Sequence, residues 1–152
     1  MTFDAPKGTR GGRQPRANPM MNLFNNLAIR RVRNKGGKLM GSDVLVLNTV
    51  GAKSGAPRSN PVAWFAWEGG SWLVVASAGG AVGNPAWYYN LAAHPDQVSI
   101  DVNRENIPVV ASQLSGTDRE KAWEAITTTA SQFTQYESKT DRLIPVIRLT
   151  RR

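Results

Sequence analysis

Pro61-Val62-Ala63-Trp64-Phe65-Ala66-Trp67, then Glu68-Gly69-Gly70-Ser71, then Trp72-Leu73-Val74-Val75-Ala76, is the stretch that decides the fold class of this chain. Two runs rich in β-branched and aromatic residues flank a short glycine turn, the pattern of an antiparallel hairpin. The leading proline suits a strand end, where no ladder N–H is needed. Upstream, residues 44–49 read as a buried strand. Downstream, residues 97–102, 108–114 and 144–149 read as three more, the first two joined by the polar turn Asn103-Arg104-Glu105-Asn106. A doubly wound parallel sheet would need a helix after nearly every strand, and most pairs here are joined by turns. Six short strands with separated helices argue instead for a small antiparallel barrel, mainly β with helices packed around it.

The chain has 152 residues and is 41% hydrophobic, enough for one domain with a real core. No apolar run approaches the ~20 residues of a membrane span, and the N-terminus lacks a signal-peptide core, so a cytoplasmic protein is expected. There is no cysteine, which removes disulfides and thiolate chemistry, and the single histidine argues against a metal centre. The net charge of +8 sits entirely in residues 1–40, where nine Lys/Arg face only Asp4. Residues 41–152 are neutral. Any nucleic-acid binding must therefore rest on the leading segment.

Residues 1–18, rich in Gly, Pro and Arg, are expected to be a disordered basic arm, and residues 19–152 a single domain. An amphipathic helix is expected at about 20–33, with Met20, Leu23, Phe24 and Leu27 on one face and Ile29 and Val32 beside it. Such a helix either docks on its own domain or lies on an anionic membrane surface. Asn84-Pro85 reads as the cap and first residue of a helix reaching about residue 93, with His94 near its end in solvent. Thr117-Asp118-Arg119-Glu120 has capping-box spacing ahead of a helix that carries Ala122, Trp123 and Ile126 on one side.

Two loops carry the candidate chemistry. In Gly51-Ala52-Lys53-Ser54-Gly55-Ala56-Pro57-Arg58, a lysine, a hydroxyl and an arginine surround two glycines, so Lys53 and Arg58 can face one phosphate. The order is not that of a Walker A loop. A basic hairpin tip in water is the plain alternative. In Ser77-Ala78-Gly79-Gly80-Ala81-Val82-Gly83-Asn84-Pro85, small residues let a flat ring approach the backbone. Ser77 is placed either to hydrogen-bond a ring carbonyl or simply to end a strand. Trp87 and Tyr88 are candidate walls of the ring, or plain core. Without a Ser-His-Asp set or paired carboxylates at a cleft, protein-side covalent or acid–base chemistry has few groups to use. A cofactor bringing its own reactivity is the economical reading.

These loops, with Val74-Val75-Ala76-Ser77, Asn84-Pro85-Ala86-Trp87-Tyr88-Tyr89-Asn90-Leu91, Tyr136 and Thr140-Asp141-Arg142-Leu143-Ile144-Pro145, resemble the actinobacterial deazaflavin-dependent nitroreductase family over about residues 40–149. The resemblance implies a split β-barrel of the flavin-reductase and pyridoxamine-oxidase type. It also implies the reduced 8-hydroxy-5-deazaflavin coenzyme (coenzyme F-420), and hydride delivery to quinones, nitroimidazoles, enones or coumarin- and furanocoumarin-type lactones, a xenobiotic or redox detoxification role. The implied cofactor contacts are Lys53, Ser54, Arg58, Asn60, Pro61, Ala76, Ser77, Gly79, Gly80, Ala86, Trp87 and Asn90. Ser77 serves the ring; Tyr136, the second catalytic candidate, faces the substrate as proton donor or shield, with Trp64 and Phe133 beside it. Ala52 and Ala78 stand where some relatives carry basic residues, and Phe133 and Ala130 where nitroimidazole reducers carry tyrosines. A bulky, flat enone or lactone is therefore the expected acceptor. The rivals are an FMN enzyme on the same barrel, a deazaflavin carrier without catalysis, and a binding protein using its basic leader on nucleic acid or anionic lipid. A monomer or a homodimer would serve any of them.

Overall fold

The strand that tells most about the architecture is the one that changes partner. A computed structural model describes residues 3–12, 19–39 and 42–152. Along the described chain run α1 (Pro19–Lys35), β1 (Lys38–Leu39), β2 (Ser42–Val50), β3 (Pro57–Ala63), β4 (Phe65–Trp67), β5 (Ser71–Val75), α2 (Ala86–Ala93), β6 (Val98–Val102), β7 (Glu105–Gln113), α3 (Gly116–Thr129), α4 (Gln132–Lys139) and β8 (Val146–Arg151). The run expected as one strand over residues 61–67 is split at Trp64. Before it, β3 pairs with β2 from Val44↔Ala63 to Val50↔Pro57; after it, β4 pairs with β5. Since β2, β6, β7, β8, β5 and β4 are hydrogen-bonded in that order, this switch joins the two ends of the sheet. The Trp64 N–H donates to the Asp43 carbonyl at 3.0 Å and pins the corner. Every strand pair is antiparallel.

Side-chain alternation sorts this sheet into compartments. Leu45 and Leu47 of β2, Trp72 and Val74 of β5, Ile100 of β6, Val109 of β7 and Leu149 of β8 fill the barrel interior. The alternate residues Leu73 and Val75 face outward under α3 and α4, against Ala122, Trp123, Ile126 and Phe133. Val44 and Val46 pack on Ile29 and Val32 of α1. Because β5 is covered on both faces, all five of its residues are buried, and it reads as an unbroken apolar run. By contrast β6 alternates strictly.

Several expectations are corrected. Residues 3–12 are not a loose arm but lie along the body. Gly8 N–H donates to Val82 O at 2.9 Å, Gly12 N–H donates to Gly80 O and Val82 N–H to Gly12 O, both at 3.1 Å, and Phe3 packs edge-on against Tyr88 at 5.7 Å. The expectation also covered residues 1, 2 and 13–18, which lie outside the described residues. In α1 the buried residues are Ala28, Ile29 and Val32, whereas Met20, Leu23, Phe24 and Leu27 are 80, 60, 58 and 55% exposed. The stripe read from spacing is real but faces away from the body. Asn84 does not cap α2, whose cap is Pro85. Its amide bonds Ala5 O and its oxygen accepts from Arg142. Nor does Thr117 open α3, which follows Ser115 and makes no side-chain cap bond. Phe133 and Tyr136 lie on the helix α4, which carries no clear signal in the sequence. The last strand begins at Val146; Pro145 precedes it, and its carbonyl accepts the Ala76 N–H at 3.0 Å.

Candidate functional site

Both loops singled out in the sequence open on one side of the barrel, on either side of Trp87. The first is a tight turn between β2 and β3. Gly51 N–H donates to Ala56 O at 2.8 Å, Gly55 N–H to Gly51 O at 2.9 Å, and Ala56 N–H to the Ser54 hydroxyl at 3.2 Å. A Cβ on Gly51 would stand 2.5 Å from the Ser54 Oγ, so the turn tolerates only glycine there without shifting. Asn90 of α2 fixes it from behind: its Oδ1 accepts the Ala52 N–H at 2.9 Å, and its Nδ2 donates to the Thr49 hydroxyl at 3.1 Å.

In front of this turn lies a cavity of about 990 Å³ lined by Lys53, Ser54, Arg58, Asn60, Trp87 and Asn90, among others. Arg58 reaches it from β3, where its backbone pairs with Thr49, rather than from a hairpin tip. Among the described residues neither the Lys53 nor the Arg58 side chain has a hydrogen bond or ion pair. Two uncommitted cations on one cavity lined by aromatic and small side chains are the donor set that an anionic, elongated, ring-bearing ligand requires.

Trp87 also walls a second cleft of about 290 Å³, lined by Ser77, Gly79, Phe133 and Tyr136 together with Ala78 and Pro85. Phe133 and Tyr136 come from α4, their rings edge to face at 5.5 Å. Gly80, at φ +82°, lets α4 come close, because a Cβ there would lie 2.8 Å from the Tyr136 carbonyl. The Lys139 ammonium stands 5.9 Å from the Tyr136 ring.

Of the residues the sequence proposed, Lys53, Ser54, Arg58, Asn60, Ala86, Trp87 and Asn90 line the large cavity. Ser77, Gly79, Phe133, Tyr136 and again Trp87 line the smaller one. Four do not join them. Pro61 sits in β3 opposite Val46. Ala76 is fully buried in the barrel interior, and Gly80 packs under α4. Trp64, at the partner switch, walls a separate cleft of about 360 Å³ with Asp43 and Thr129. Of the two readings open for Tyr88, the structure takes plain core: its hydroxyl donates to Gln113 Oε1 at 2.7 Å, and burial pushes its phenol up to about 12. Tyr89, half-exposed, lines the large cavity instead, with Ala92 and Ala93. The spacing of Ala86, Tyr89, Asn90 and Ala93 is one helical face, and that signal was available in the sequence. The buried arginines Arg119 and Arg142 were not legible.

An antiparallel sheet closed by a strand that changes partner defines a split-barrel protein. Comparison with known proteins narrows this further. Residues 20–151 match the model of the F420H(2)-dependent quinone reductase family. An F420H(2)-dependent quinone reductase of Mycobacterium tuberculosis is 40% identical over 111 residues, which is 71% of this chain and 73% of that protein. The solved F420-H2 dependent reductase FDR-A is 36% identical with a TM-score of 0.62, covering 70% of this chain and 92% of that one. A structure described as a domain-swapped dimer is 31% identical with a TM-score of 0.65, covering 87% and 99%. The chain therefore belongs to the F420H(2)-dependent quinone reductase family. It is an oxidoreductase whose electron donor is reduced coenzyme F420, the 8-hydroxy-5-deazaflavin.

Proposed function

We propose that the chain reduces quinone-like acceptors, and among them bulky, flat enones and coumarin- or furanocoumarin-type lactones, in a detoxifying role. The observation that carries this reading is the pair of unpaired cations on a cavity whose Trp87 wall is shared with the Ser77–Tyr136 cleft. Lys53 and Arg58 hold the cofactor's phosphate by charge-assisted hydrogen bonds, with Ser54 and Asn60 beside them. Trp87 and Ala86 flank the ring, and Ser77 offers its hydroxyl, which makes no hydrogen bond among the described residues. When bound, the reduced deazaflavin supplies a hydride from C5. Tyr136 and Phe133 shape the acceptor side, and the Tyr136 hydroxyl donates to the oxygen on which negative charge develops. The absence of a tyrosine at Phe133 and Ala130 supports lactones and quinones over nitroimidazoles.

Among the described residues no helix is long and apolar enough to cross a membrane. The exposed face of α1, Met20, Leu23, Phe24 and Leu27, followed by Arg30 and Arg31, supports peripheral contact with an anionic bilayer. Anaerobic mixing of reduced deazaflavin with menadione or coumarin is expected to restore the oxidised cofactor's absorbance only when protein is present. No oxidation with either acceptor, together with no cofactor binding, would contradict the reading. A purified chain that carries FMN and turns over with it would move it to the flavin enzymes of the same barrel.

A further inference from the structure

Arg142 differs from the other cations of the site. It is 4% exposed, and its guanidinium is spent on one loop. Nη1 donates to Ala76 O at 3.0 Å and to Asn84 Oδ1 at 2.7 Å, Nη2 to Ser77 O at 2.7 Å, and Nε to Ala81 O at 3.2 Å. All four acceptors are uncharged, and no carboxylate pairs with it among the described residues. The adjacent carboxylate, Asp141, turns outward to Thr9 and Arg10. Burial draws the Arg142 pKa down, with Tyr89 acting the other way. A guanidinium starts so high that it keeps its charge at neutral pH. The loop it grips is unfavourable at Ala78, a non-glycine residue at φ 47°, ahead of Gly79 and Gly80 at 63° and 82°, values glycine takes without steric cost. Such a conformation at Ala78 persists only where the surroundings over-determine it.

We propose that Arg142 is a positioning residue of the hydride-transfer site: its fork fixes the Ser77 loop, and its un-neutralised charge favours the anionic form of the ring bound beside Ser77. The inference rests on the reading given under Proposed function. Holding the Ser77 carbonyl from beneath sets the direction of its hydroxyl. A positive charge one residue behind the cleft, shielded from water, stabilises negative charge on a ligand there more than a surface cation would.

The test is the ionisation of the ring hydroxyl of bound, oxidised deazaflavin, followed by absorbance against pH. Arg142→Gln is expected to raise its apparent midpoint by about one pH unit relative to wild type, and Arg142→Lys to recover part of that shift. Asn84→Asp keeps the oxygen acceptor but sets a carboxylate against the guanidinium; it is expected to raise the midpoint, while Asn84→Ala, which loses the same tie to Ala5, is not. Hydrogen exchange across residues 76–84 of the free chain is expected to quicken in both Arg142 variants and not in Asn84→Asp. A purely structural arginine would alter exchange and leave the ring midpoint where it was, which would overturn the proposal. So would equal midpoints in the two Asn84 variants, and this pair decides the matter should Arg142→Gln not fold. A wild-type chain that fails to take the deazaflavin would sink the functional reading and this inference with it. Wild-type binding with unmoved midpoints would sink the inference alone.

Discussion

The two loops around Trp87 have similar compositions and opposite solutions. The 51–58 turn is held by its own backbone and by Asn90, and leaves its cations free. The 76–84 loop is strained at Ala78 and buried at its ends, and is held by a cation that has no carboxylate partner among the described residues. In the first, charge is displayed for a ligand. In the second, a buried charge holds the shape from beneath and a neutral hydroxyl is displayed. A basic residue in a glycine-rich stretch therefore says little until its burial is known, because exposure separates a cation that binds from one that braces.

That contrast yields graded expectations. The largest effect belongs to the exposed cations. Lys53→Ala together with Arg58→Ala is expected to weaken deazaflavin binding roughly 100-fold, as read by fluorescence titration, with little change in the single-turnover hydride rate. A slowed hydride step at unchanged affinity would move the phosphate elsewhere. Next comes Gly80→Ala, which places a Cβ 2.8 Å from the Tyr136 carbonyl at a positive φ. It should cost roughly 2 kcal/mol, a fall in Tm of about 6 °C, and displace Tyr136 from the cleft. Unaltered melting and acceptor KM would show that α4 is not braced by this loop.

A smaller effect is expected where the N-terminal segment is tied down. The Asp141 carboxyl is held down to about 2 by the Thr9 hydroxyl first, then by the Arg10 and Thr9 backbone N–H groups. Its folded value lies below the ordinary one, so the tie contributes fully above the usual carboxylate range and is lost as pH falls through about 2. Protection of residues 8–12 against hydrogen exchange, taken relative to the intrinsic rate at each pH, should fall as pH drops from 4 towards 2, and Asp141→Asn should show the lower protection at neutral pH. An arm equally protected in that variant would place its anchor elsewhere. The smallest effect on stability is expected from Leu23→Ser with Phe24→Ser, within about 0.5 kcal/mol, because both residues face away from the body. The same pair should abolish co-sedimentation with phosphatidylglycerol vesicles. Unchanged sedimentation would remove the bilayer as the partner of that face.

Strand content was legible because β6 and β7 alternate and β5 is uniformly apolar, two patterns set by which faces are covered. The corner at Trp64 was not, since a partner switch leaves no mark in a run that is apolar throughout. The α1 stripe was found by period but given the wrong side. Spacing locates a face and cannot say what it meets, and here Ile29 and Val32, off the stripe, meet β2. Lys53, Arg58, Ser77 and Trp87 were legible because glycine loops and a helix start punctuate the chain around them. Arg142 was hidden because three of its four acceptors are backbone carbonyls 61 to 66 residues away, and a backbone acceptor has no sequence signature. The order of the 3–12 segment was hidden likewise, because its own side of these contacts is largely main chain: backbone groups of residues 4–12 meet Gln113, Asn84, Thr140, Asp141 and the 80–82 backbone.

The most direct measurement of the central claim is a side-by-side titration of the wild-type chain with reduced deazaflavin and with FMN, repeated on the Lys53→Ala, Arg58→Ala chain. The account expects tight deazaflavin binding that collapses in the double variant, and FMN binding weaker throughout. Equal or tighter binding of FMN, or deazaflavin affinity indifferent to the loss of both cations, would contradict it.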